Sequence, residues 1–210
     1  MLLETGSSNA QLYYKAKTVT TREGLSDNRV TCFHKDRRGF MWIGTRNGLN
    51  RYDGHSFKVF RPMQSNSISN EVINDIAEDS RGRIWVATME GLNIYTPDKN
   101  RWDHILPNPD SFKLSIPNYI VWDIMIDRND LVWIACDVFA FSSYDIKTEK
   151  FVFYDWPSFQ RSLPEFTWAR YKSIQQFVQK SENEYWLGTT IGLVKLNIST
   201  KQFSFIGHDY

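Results

Sequence analysis

The sequence lacks any uninterrupted apolar stretch of about 18 residues, the length that a membrane-spanning helix requires. It has only two cysteines, Cys32 and Cys136, and we expect both to be buried free thiols because they fall in different repeats. With 25 basic and 24 acidic residues, its net charge of +1 creates no general attraction to nucleic acid or to an anionic membrane. The first eleven residues lack the apolar centre of a signal peptide. We therefore expect no nucleic-acid contact and no membrane contact by this segment.

Aromatic residues, in contrast, make up 15% of the chain, and tryptophan recurs at regular intervals. Residues 39–53 return as residues 82–96 and, in degraded form, twice more. The tryptophans at the same position of each copy lie 43, 48 and 53 residues apart: Trp42, Trp85, Trp133 and Trp186. A period in the forties is typical of a four-stranded propeller blade. The repeat predicts an all-β fold of β-propeller repeats, with four four-stranded antiparallel blades whose tryptophans are mostly buried at equivalent places.

Each repeat has the same turn signals around its tryptophan. Apolar runs with β-branched and aromatic residues precede it and favour strands. Three residues before it stands a residue that tolerates a left-handed backbone, as a tight hairpin requires: Gly39, Gly82, Asp130 and Asn183. Six residues before it, an aspartate can close an Asx-type turn in three repeats, whereas the fourth has lysine: Asp36, Asp79, Asp127 and Lys180. Six residues after it, glycine begins the turn into a third strand, except in the third repeat: Gly48, Gly91 and Gly192.

The first repeat, residues 36–54 (DRRGFMWIGTRNGLNRYDG), closely resembles the two-component regulator propeller repeat. The lead-in, residues 21–28, resembles that family's entry into its first blade. The resemblance covers roughly residues 12–210 and is weakest in the third repeat. It implies the periplasmic sensor region of a hybrid two-component system of Bacteroides-type gut bacteria, in which propellers typically precede an immunoglobulin-like domain, one membrane helix and a cytoplasmic histidine kinase. It also implies a response to oligosaccharides released from polysaccharides.

The repeats divide the chain into a leader and four blades. Residues 1–11 are interpreted as a disordered or added leader, and residues 12–27 as an outer strand (Leu12 to Thr20) with an entry segment. The blades are assigned to residues 28–67, 68–114, 115–168 and 169–210. A complete seven- or eight-bladed ring needs roughly three hundred residues or more at this period. We therefore expect the chain to be a piece of a larger sensor, either a cloned fragment or a truncated gene product.

No residue pattern predicts a catalytic site, a metal site or a cofactor. The four histidines share no spacing of a zinc or catalytic pair: His34, His55, His104 and His208. The recurring aspartates indicate a role in stabilising turns, because an active site needs one group of catalytic residues and not a copy in every repeat. Asp75 and Asp123 share one aligned position on the first strand. Two interpretations of this pair stay open, a paired acid site between adjacent blades and hydrogen bonding to nearby backbone.

Ligand recognition is expected on one face of the propeller, from the loops between blades and the turns between second and third strands. Aromatic rings with Arg and Asn side chains suit sugar rings, and arginine suits an anionic sugar. The candidate ligand-binding residues are Arg46, Asn47, Arg51, Glu90, Trp122, Trp168 and Arg170. The alternative is that each of them serves local packing or ordinary surface charge.

Three functions remain open on sequence grounds. The first is a non-catalytic sensor segment of a hybrid histidine-kinase system, the second a closed four-bladed module that binds protein partners. The third is a propeller enzyme, a lyase or glycosidase, which would need a cluster of ionisable groups at the central channel.

Four blades of a larger ring leave an exposed face at each end, so we predict self-association through the terminal blades, with exchange of the N-terminal strand. Closure into a compact four-bladed ring is the rival outcome.

Overall fold

A computed structural model describes residues 18–108, 115–137, 141–154, 174–190 and 192–206. In these ranges sixteen strands form four antiparallel sheets, and each sheet follows chain order from its first strand to its last. Blade 1 contains β1 (Val30–Lys35), β2 (Met41–Thr45), β3 (Gly48–Tyr52) and β4 (Phe57–Phe60). Blade 2 contains β5 (Ile73–Glu78), β6 (Ile84–Thr88), β7 (Gly91–Thr96) and β8 (Arg101–Ile105). Blade 3 contains β9 (Val121–Ile126), β10 (Leu131–Cys136), β11 (Phe141–Asp145) and β12 (Lys150–Tyr154). Blade 4 contains β13 (Ile174–Gln179), β14 (Glu184–Thr189), β15 (Gly192–Asn197) and β16 (Gln202–Ile206). The predicted all-β architecture of four four-stranded blades is confirmed.

The described residues before β1 form no strand. Thr20 caps a three-residue 3-10 turn, Thr21–Glu23, whose Glu23 carboxylate accepts the Thr20 N–H at 2.6 Å. A second such turn, Pro97–Lys99, joins β7 to β8, and the described ranges contain no longer helix. The rest of the predicted N-terminal strand, residues 12–17, lies outside the described residues.

In three blades the hairpin between the first and second strands contains a residue with a left-handed backbone conformation, as predicted. The φ angles are 93° at Gly39, 74° at Gly82 and 64° at Asp130. The prediction is wrong for Asn183, which is not among the described residues with positive φ. In that fourth hairpin Lys180 replaces the aspartate that holds the other three turns together, so the backbone takes a different path.

The glycine that begins the third strand is required for two reasons. Its φ is 119° at Gly48, 98° at Gly91 and 125° at Gly192, a region that side chains disfavour. A Cβ atom at Gly48 would also lie 2.9 Å from the Phe60 carbonyl oxygen of the neighbouring strand. The turn into the third strand therefore tolerates no side chain.

The hydrophobic core lies in the junctions between consecutive blades. Each of the three core clusters combines residues of two neighbouring blades. The anchoring tryptophans of blades 1 to 3 are at most 1% exposed. Their rings contact an aromatic ring of the next blade, with centroid distances of 5.6 Å for Trp42 and Tyr95, 5.5 Å for Trp85 and Tyr144, and 4.5 Å for Trp133 and Tyr185. The tryptophan of one blade is thus covered by the blade that follows it.

Trp186 is less completely buried than the other three anchoring tryptophans. It occupies the equivalent register, opposite Val178 on the first strand of its blade as Trp42 is opposite His34. It is nevertheless only half-buried, because no described blade follows blade 4 to cover it. The Lys180 ammonium lies 5.5 Å from the centroid of its ring. The prediction of position is confirmed, and the burial of this tryptophan is less complete than that of the other three.

The four blades do not close on themselves. The first strands lie side by side in the order β1, β5, β9, β13, and the described strands show no comparable contact between β13 and β1. No sheet joins blade 4 to blade 1 in the described ranges. Phe33 in blade 1 is 74% exposed and Val178 in blade 4 is 51% exposed. The two terminal blades therefore present open apolar faces.

Candidate ligand-binding face

The recurring aspartates fix the first hairpin of a blade to its tryptophan. In blade 2, one oxygen of the Asp79 carboxylate accepts the Arg81 and Arg83 N–H groups at 3.0 and 2.9 Å. The other oxygen accepts the indole N–H of Trp85 at 2.8 Å. The same indole bonds occur in blades 1 and 3, from Trp42 to Asp36 at 2.7 Å and from Trp133 to Asp127 at 3.0 Å. The predicted Asx turns are confirmed, whereas the indole bonds were missed, although the constant six-residue spacing was their signal.

A second polar cluster fixes the entry segment of blade 1 to its third strand. The Ser26 N–H donates to the Asn50 side-chain carbonyl at 2.9 Å, and the Asn50 amide donates back to the Ser26 hydroxyl at 2.8 Å. The Ser26 and Thr45 hydroxyls lie 2.9 Å apart, and Thr45 donates to the Gly48 carbonyl at 2.8 Å. These bonds hold the entry segment against the turn between β2 and β3.

Blade 2 repeats this cluster, and the third strands of blades 3 and 4 lack its asparagine. The Ser69 N–H donates to Asn93 at 2.8 Å, and Asn93 donates to the Ser69 hydroxyl at 3.0 Å. At the position of Asn93, the register places Ser142 in blade 3 and Val194 in blade 4. The asparagine that holds the entry segment is therefore present in the first two blades and replaced in the later two.

The turns between second and third strands and the entry loops form one continuous rim, which we call the entry-loop rim. In blades 1 and 2 a backbone N–H of the turn donates to a carbonyl in the entry loop of the next blade, from Gly48 to Glu71 at 2.8 Å and from Gly91 to Tyr119 at 2.7 Å. In blade 3 the Asp137 N–H donates to the Ile120 carbonyl in the entry loop of its own blade, at 3.0 Å. Because the first two bonds join consecutive blades, the rim of blades 1 to 3 is fixed in place by the backbone.

A β-bulge interrupts every first strand where it enters this rim. The bulge residues, which the cross-strand register skips, are Thr31, Asn74, Trp122 and Gln175. Bulges re-aim side chains and are common next to functional sites. Trp122, which the repeat did not explain, is thus the bulge residue of blade 3, and its indole N–H donates to the Asp137 carboxylate at 3.3 Å. Sequence reasoning missed the bulges, because they are visible only in the cross-strand register.

Four of the predicted ligand-binding residues lie on the entry-loop rim. Arg46, Asn47 and Glu90 are exposed in the turns, and Trp122 is half-buried. The Asn47 amide donates to the Ser26 carbonyl at 3.4 Å, so this side chain also serves the local network.

The other three candidates do not join them. Arg51 lies at the opposite end of blade 1, opposite Trp42 in the register, with its guanidinium carbon 4.5 Å from the Phe40 ring centroid. This contact is local packing, the alternative that the sequence left open. Trp168 and Arg170 lie outside the described residues.

The aligned aspartates of blades 2 and 3 connect three blades. Asp75 accepts the Ile124 N–H and Asp123 accepts the Phe177 N–H, both at 2.9 Å. The two carboxyl groups also influence each other's protonation. Burial, followed by the negative charge of Asp75, raises the pKa of Asp123, and burial raises the pKa of Asp75. The backbone bonds support the second interpretation, hydrogen bonding to nearby backbone, at both aspartates.

Other reactive side chains are few in the part of the chain that the structure describes. No group of three or more His, Cys, Asp or Glu residues there could hold a metal ion. Cys32 and Cys136 are both free, as predicted, but Cys32 is only half-buried. Burial raises the pKa of each thiol to about 12, so neither is a nucleophile near neutral pH. No described helix is long and apolar enough to cross a membrane.

Comparison with known proteins identifies the repeat. A family model for the two component regulator propeller matches residues 24–47 and 67–90. Histidine kinase P4 of Formosa agariphila is 47% identical over 55 residues, which are 25% of this chain and 4% of that protein.

Solved structures resemble the chain over most of its length. The extracellular domain of a putative hybrid two component system of B. thetaiotaomicron is 26% identical, with a TM-score of 0.79, and the match covers 91% of this chain and 26% of that one. The extracellular domain of a putative one component system of the same organism is 20% identical, with a TM-score of 0.69 and coverages of 92% and 27%. Virginiamycin B lyase from Staphylococcus aureus, at 14% identity and a TM-score of 0.59 over 86% of this chain and 56% of that one, shares the fold alone.

The chain thus spans about a quarter of the length of the extracellular domains that it matches. The family match lies in the first two blades, where the Ser-Thr-Asn clusters and the Asp-Trp bonds are both complete. Residues 24–47 and 67–90 thus match the two component regulator propeller repeat, and the chain as a whole is similar to the extracellular domain of a putative hybrid two component system.

Proposed function

We propose that this chain is a non-catalytic, ligand-sensing propeller segment of a hybrid two-component signal-transduction protein, and that it binds an oligosaccharide derived from a polysaccharide on the periplasmic side of the membrane. The observation that carries the proposal is the entry-loop rim, a surface fixed by backbone bonds between blades on a scaffold homologous to extracellular sensor domains. The histidine kinase would belong to other parts of a longer protein.

The exposed side chains of the rim have the chemistry that a sugar needs. The half-buried Trp122 ring offers an apolar surface for the C–H face of a pyranose, and its indole N–H is held by Asp137. Asn47 and Glu90 can pair with hydroxyl groups, and the exposed Arg46 guanidinium can pair with the carboxylate of a uronic acid. Because the rim is fixed before a ligand arrives, little ordering entropy opposes binding.

The same contacts support a binding function over catalysis. Of the ionisable groups near the first strands, Asp75 and Asp123 are committed to backbone N–H groups of the next blade. A rigid propeller has little internal motion to transmit. The signal would therefore pass through a change in how two propeller-bearing subunits pack against each other.

Titration calorimetry tests the proposal with two oligosaccharide mixtures, one from partial hydrolysis of a uronate-containing pectin and one from neutral starch. We expect binding of one mixture, weakened about tenfold by Arg46→Ala or Trp122→Leu, which corresponds to about 1.4 kcal/mol. Arg81→Ala is the matched control, because Arg81 is an exposed arginine of a first hairpin, at the opposite end of a blade.

Equal binding by the wild type and both rim variants would contradict the assignment of the site. Absence of heat with either mixture at millimolar concentration would contradict the choice of ligand class. Cleavage of the bound oligosaccharide, detected by mass spectrometry of the titration mixture, would overturn the non-catalytic assignment.

A further inference from the structure

Each blade carries two positions on the entry-loop rim whose side chains differ from blade to blade. One is the bulge residue of the first strand, and the other is the residue that directly follows the second strand. We call these two residues the bulge–turn pair of a blade. The four pairs are Thr31 with Arg46, Asn74 with Met89, Trp122 with Asp137, and Gln175 with Thr190.

The residues on either side of a bulge are needed for packing between blades. The residue before it is fully buried in blades 2 to 4: Ile73, Val121 and Ile174. The residue after it is Asp75 in blade 2 and Asp123 in blade 3, and each accepts a backbone N–H of the next blade at 2.9 Å. A bulge turns its own side chain out of the alternation of the strand. The bulge residue can therefore differ between blades without disturbing the junctions.

In blades 2 and 3 the two members of the pair contact each other. The Asn74 Nδ2 atom lies 3.6 Å from the Met89 sulfur, and the Trp122 indole nitrogen lies 3.3 Å from the Asp137 Oδ1 atom. All four side chains are half-buried. The bulge and turn positions of these blades thus form one small surface, open to solvent on the rim.

The pair of blade 3 has the chemistry of a subsite for one sugar ring. The indole of Trp122 offers its face to the C–H groups of a pyranose. Its N–H donates to one oxygen of Asp137, which fixes the orientation of the ring, and the second carboxylate oxygen is an acceptor for a sugar hydroxyl. The same negative charge repels the carboxylate of a uronate. Blade 1 has the exposed Arg46 at the position of Asp137, so the two blades carry opposite charges at equivalent places.

Asn74 connects the pair of blade 2 to that of blade 3. Its Nδ2 atom donates to the Val121 carbonyl oxygen at 2.7 Å. That carbonyl belongs to the planar peptide group whose nitrogen is the backbone nitrogen of Trp122. The bond therefore fixes the backbone from which the bulge of blade 3 begins.

We propose that Trp122 and Asp137 form a subsite for one neutral pyranose of the oligosaccharide, that Asp137 excludes a uronate from it, and that Asn74 positions the subsite from the neighbouring blade. The proposal rests on the sugar-binding function proposed above and divides the ligand in two. A uronate binds at Arg46 on blade 1, and a neutral sugar binds on blade 3. Blade 3 is flanked by blades 2 and 4, so the subsite is not part of either open face.

Titration calorimetry of Asp137→Asn with the pectin and starch oligosaccharides tests the exclusion. Asparagine keeps an oxygen for the indole N–H and removes the charge. Two like charges about 4 Å apart in water weaken binding about fivefold, so the affinity for the uronate mixture, relative to that for the neutral mixture, should rise about fivefold. If the wild type binds one mixture alone, its affinity should change in the same sense, upward for pectin and downward for starch.

Glu182→Gln is the matched control, because Glu182 is an exposed carboxylate of a first hairpin, at the opposite end of a blade. It should leave both affinities unchanged. A wild type that binds neither mixture overturns the proposed function and this subsite with it. If the wild type binds and Asp137→Asn behaves as Glu182→Gln does, the exclusion by Asp137 is overturned and the proposed function stands.

The indole N–H resonance of Trp122 tests the positioning role of Asn74. It is identified in a ¹H–¹⁵N spectrum as the peak that Trp122→Phe lacks. The mixture that binds should shift this peak and leave that of Trp85, whose indole donates to Asp79 at the opposite end of a blade. Asn74→Leu lacks the donor, so the Trp122 peak should move even without ligand, and binding should weaken about fivefold. Asn74→Asp, which keeps the shape of the side chain and also lacks the donor, should give the same result.

A merely structural role of Asn74 would lower the urea midpoint and leave the Trp122 peak in place. A Trp122 peak at the wild-type position in both Asn74 variants therefore overturns the positioning role. A Trp122 peak that does not move when a saccharide binds overturns the subsite, and the proposed function stands on the remaining rim residues.

Discussion

The hydrogen bond from the buried indole of Trp85 to Asp79 can be tested with the substitution Asp79→Asn. Both side chains are fully buried, and the Asp79 carboxylate accepts two backbone N–H groups on one oxygen and the indole on the other. Asparagine has one acceptor oxygen, so if it serves the turn, its NH₂ group faces the indole N–H. An unsatisfied buried donor costs about 1–3 kcal/mol. The Arg83 Nε atom, 2.6 Å from the same carboxylate oxygen, loses a charge-assisted bond.

We therefore expect Asp79→Asn to lower the free energy of unfolding by about 2–4 kcal/mol. Urea denaturation, followed by tryptophan fluorescence and circular dichroism, measures the change. Asp53→Asn is the matched control, because Asp53 holds an equivalent turn on the exposed surface through the His55 and Ser56 N–H groups. It should leave the urea midpoint almost unchanged.

A double-mutant cycle with Trp85→Phe isolates the indole bond from the turn. Phenylalanine has no donor, so Asp79→Asn should be less destabilising in the Trp85→Phe background, by about 1 kcal/mol or more. If the two changes are additive within about 0.5 kcal/mol, the indole bond is not what connects Asp79 to Trp85, and the reasoning fails.

Two further predictions follow from the junctions. Asp123→Asn should reduce the pH dependence of stability. The raised pKa of Asp123 means that the folded wild type holds this proton more tightly than the unfolded chain does, so its stability falls as pH rises from about 4 to about 7. Urea midpoints across this range should fall less in the variant, in which Asp75 alone of the pair keeps a raised pKa. Gly44→Ala should lower the free energy of unfolding by about 1–3 kcal/mol, because the added Cβ atom would lie 2.7 Å from an Ile73 methyl carbon. Gly188→Ala is the control and should have almost no effect, because its Cβ atom would have no neighbour nearer than 3.9 Å. Equal urea midpoints for the two variants would contradict this account.

The turns and strands that could be predicted from the sequence are those determined by short segments of the chain. The glycines at Gly48, Gly91 and Gly192 are needed for a local backbone angle, and the Asx turn at Asp79 closes within four residues. The tryptophan period follows from the length of one blade. These signals depend on nothing outside the repeat, so strand number, sheet order and turn positions could all be predicted before the structure was known.

The features that sequence reasoning missed depend on distant partners. The exposure of Trp186 is set by whether another blade follows, and the Ser26 to Asn50 bonds connect residues 24 positions apart. The role of Trp122 as a bulge residue depends on its pairing with β10. For the same reason the candidate ligand-binding set could not be divided in advance, and only the structure separates Arg51, which packs on an aromatic ring, from Arg46 on the exposed rim.

Because the hydrophobic core lies between blades and not within them, the cooperative unit of this molecule is the junction. A single blade has two apolar faces and no core of its own, so it has little tendency to fold in isolation. Four blades share three junctions, and each blade added to an open end contributes one complete junction while ordering only one further repeat of chain. Stability per residue in such an array rises with the number of repeats, and an end blade, anchored on one side only, is the first to detach when the protein is heated or pulled.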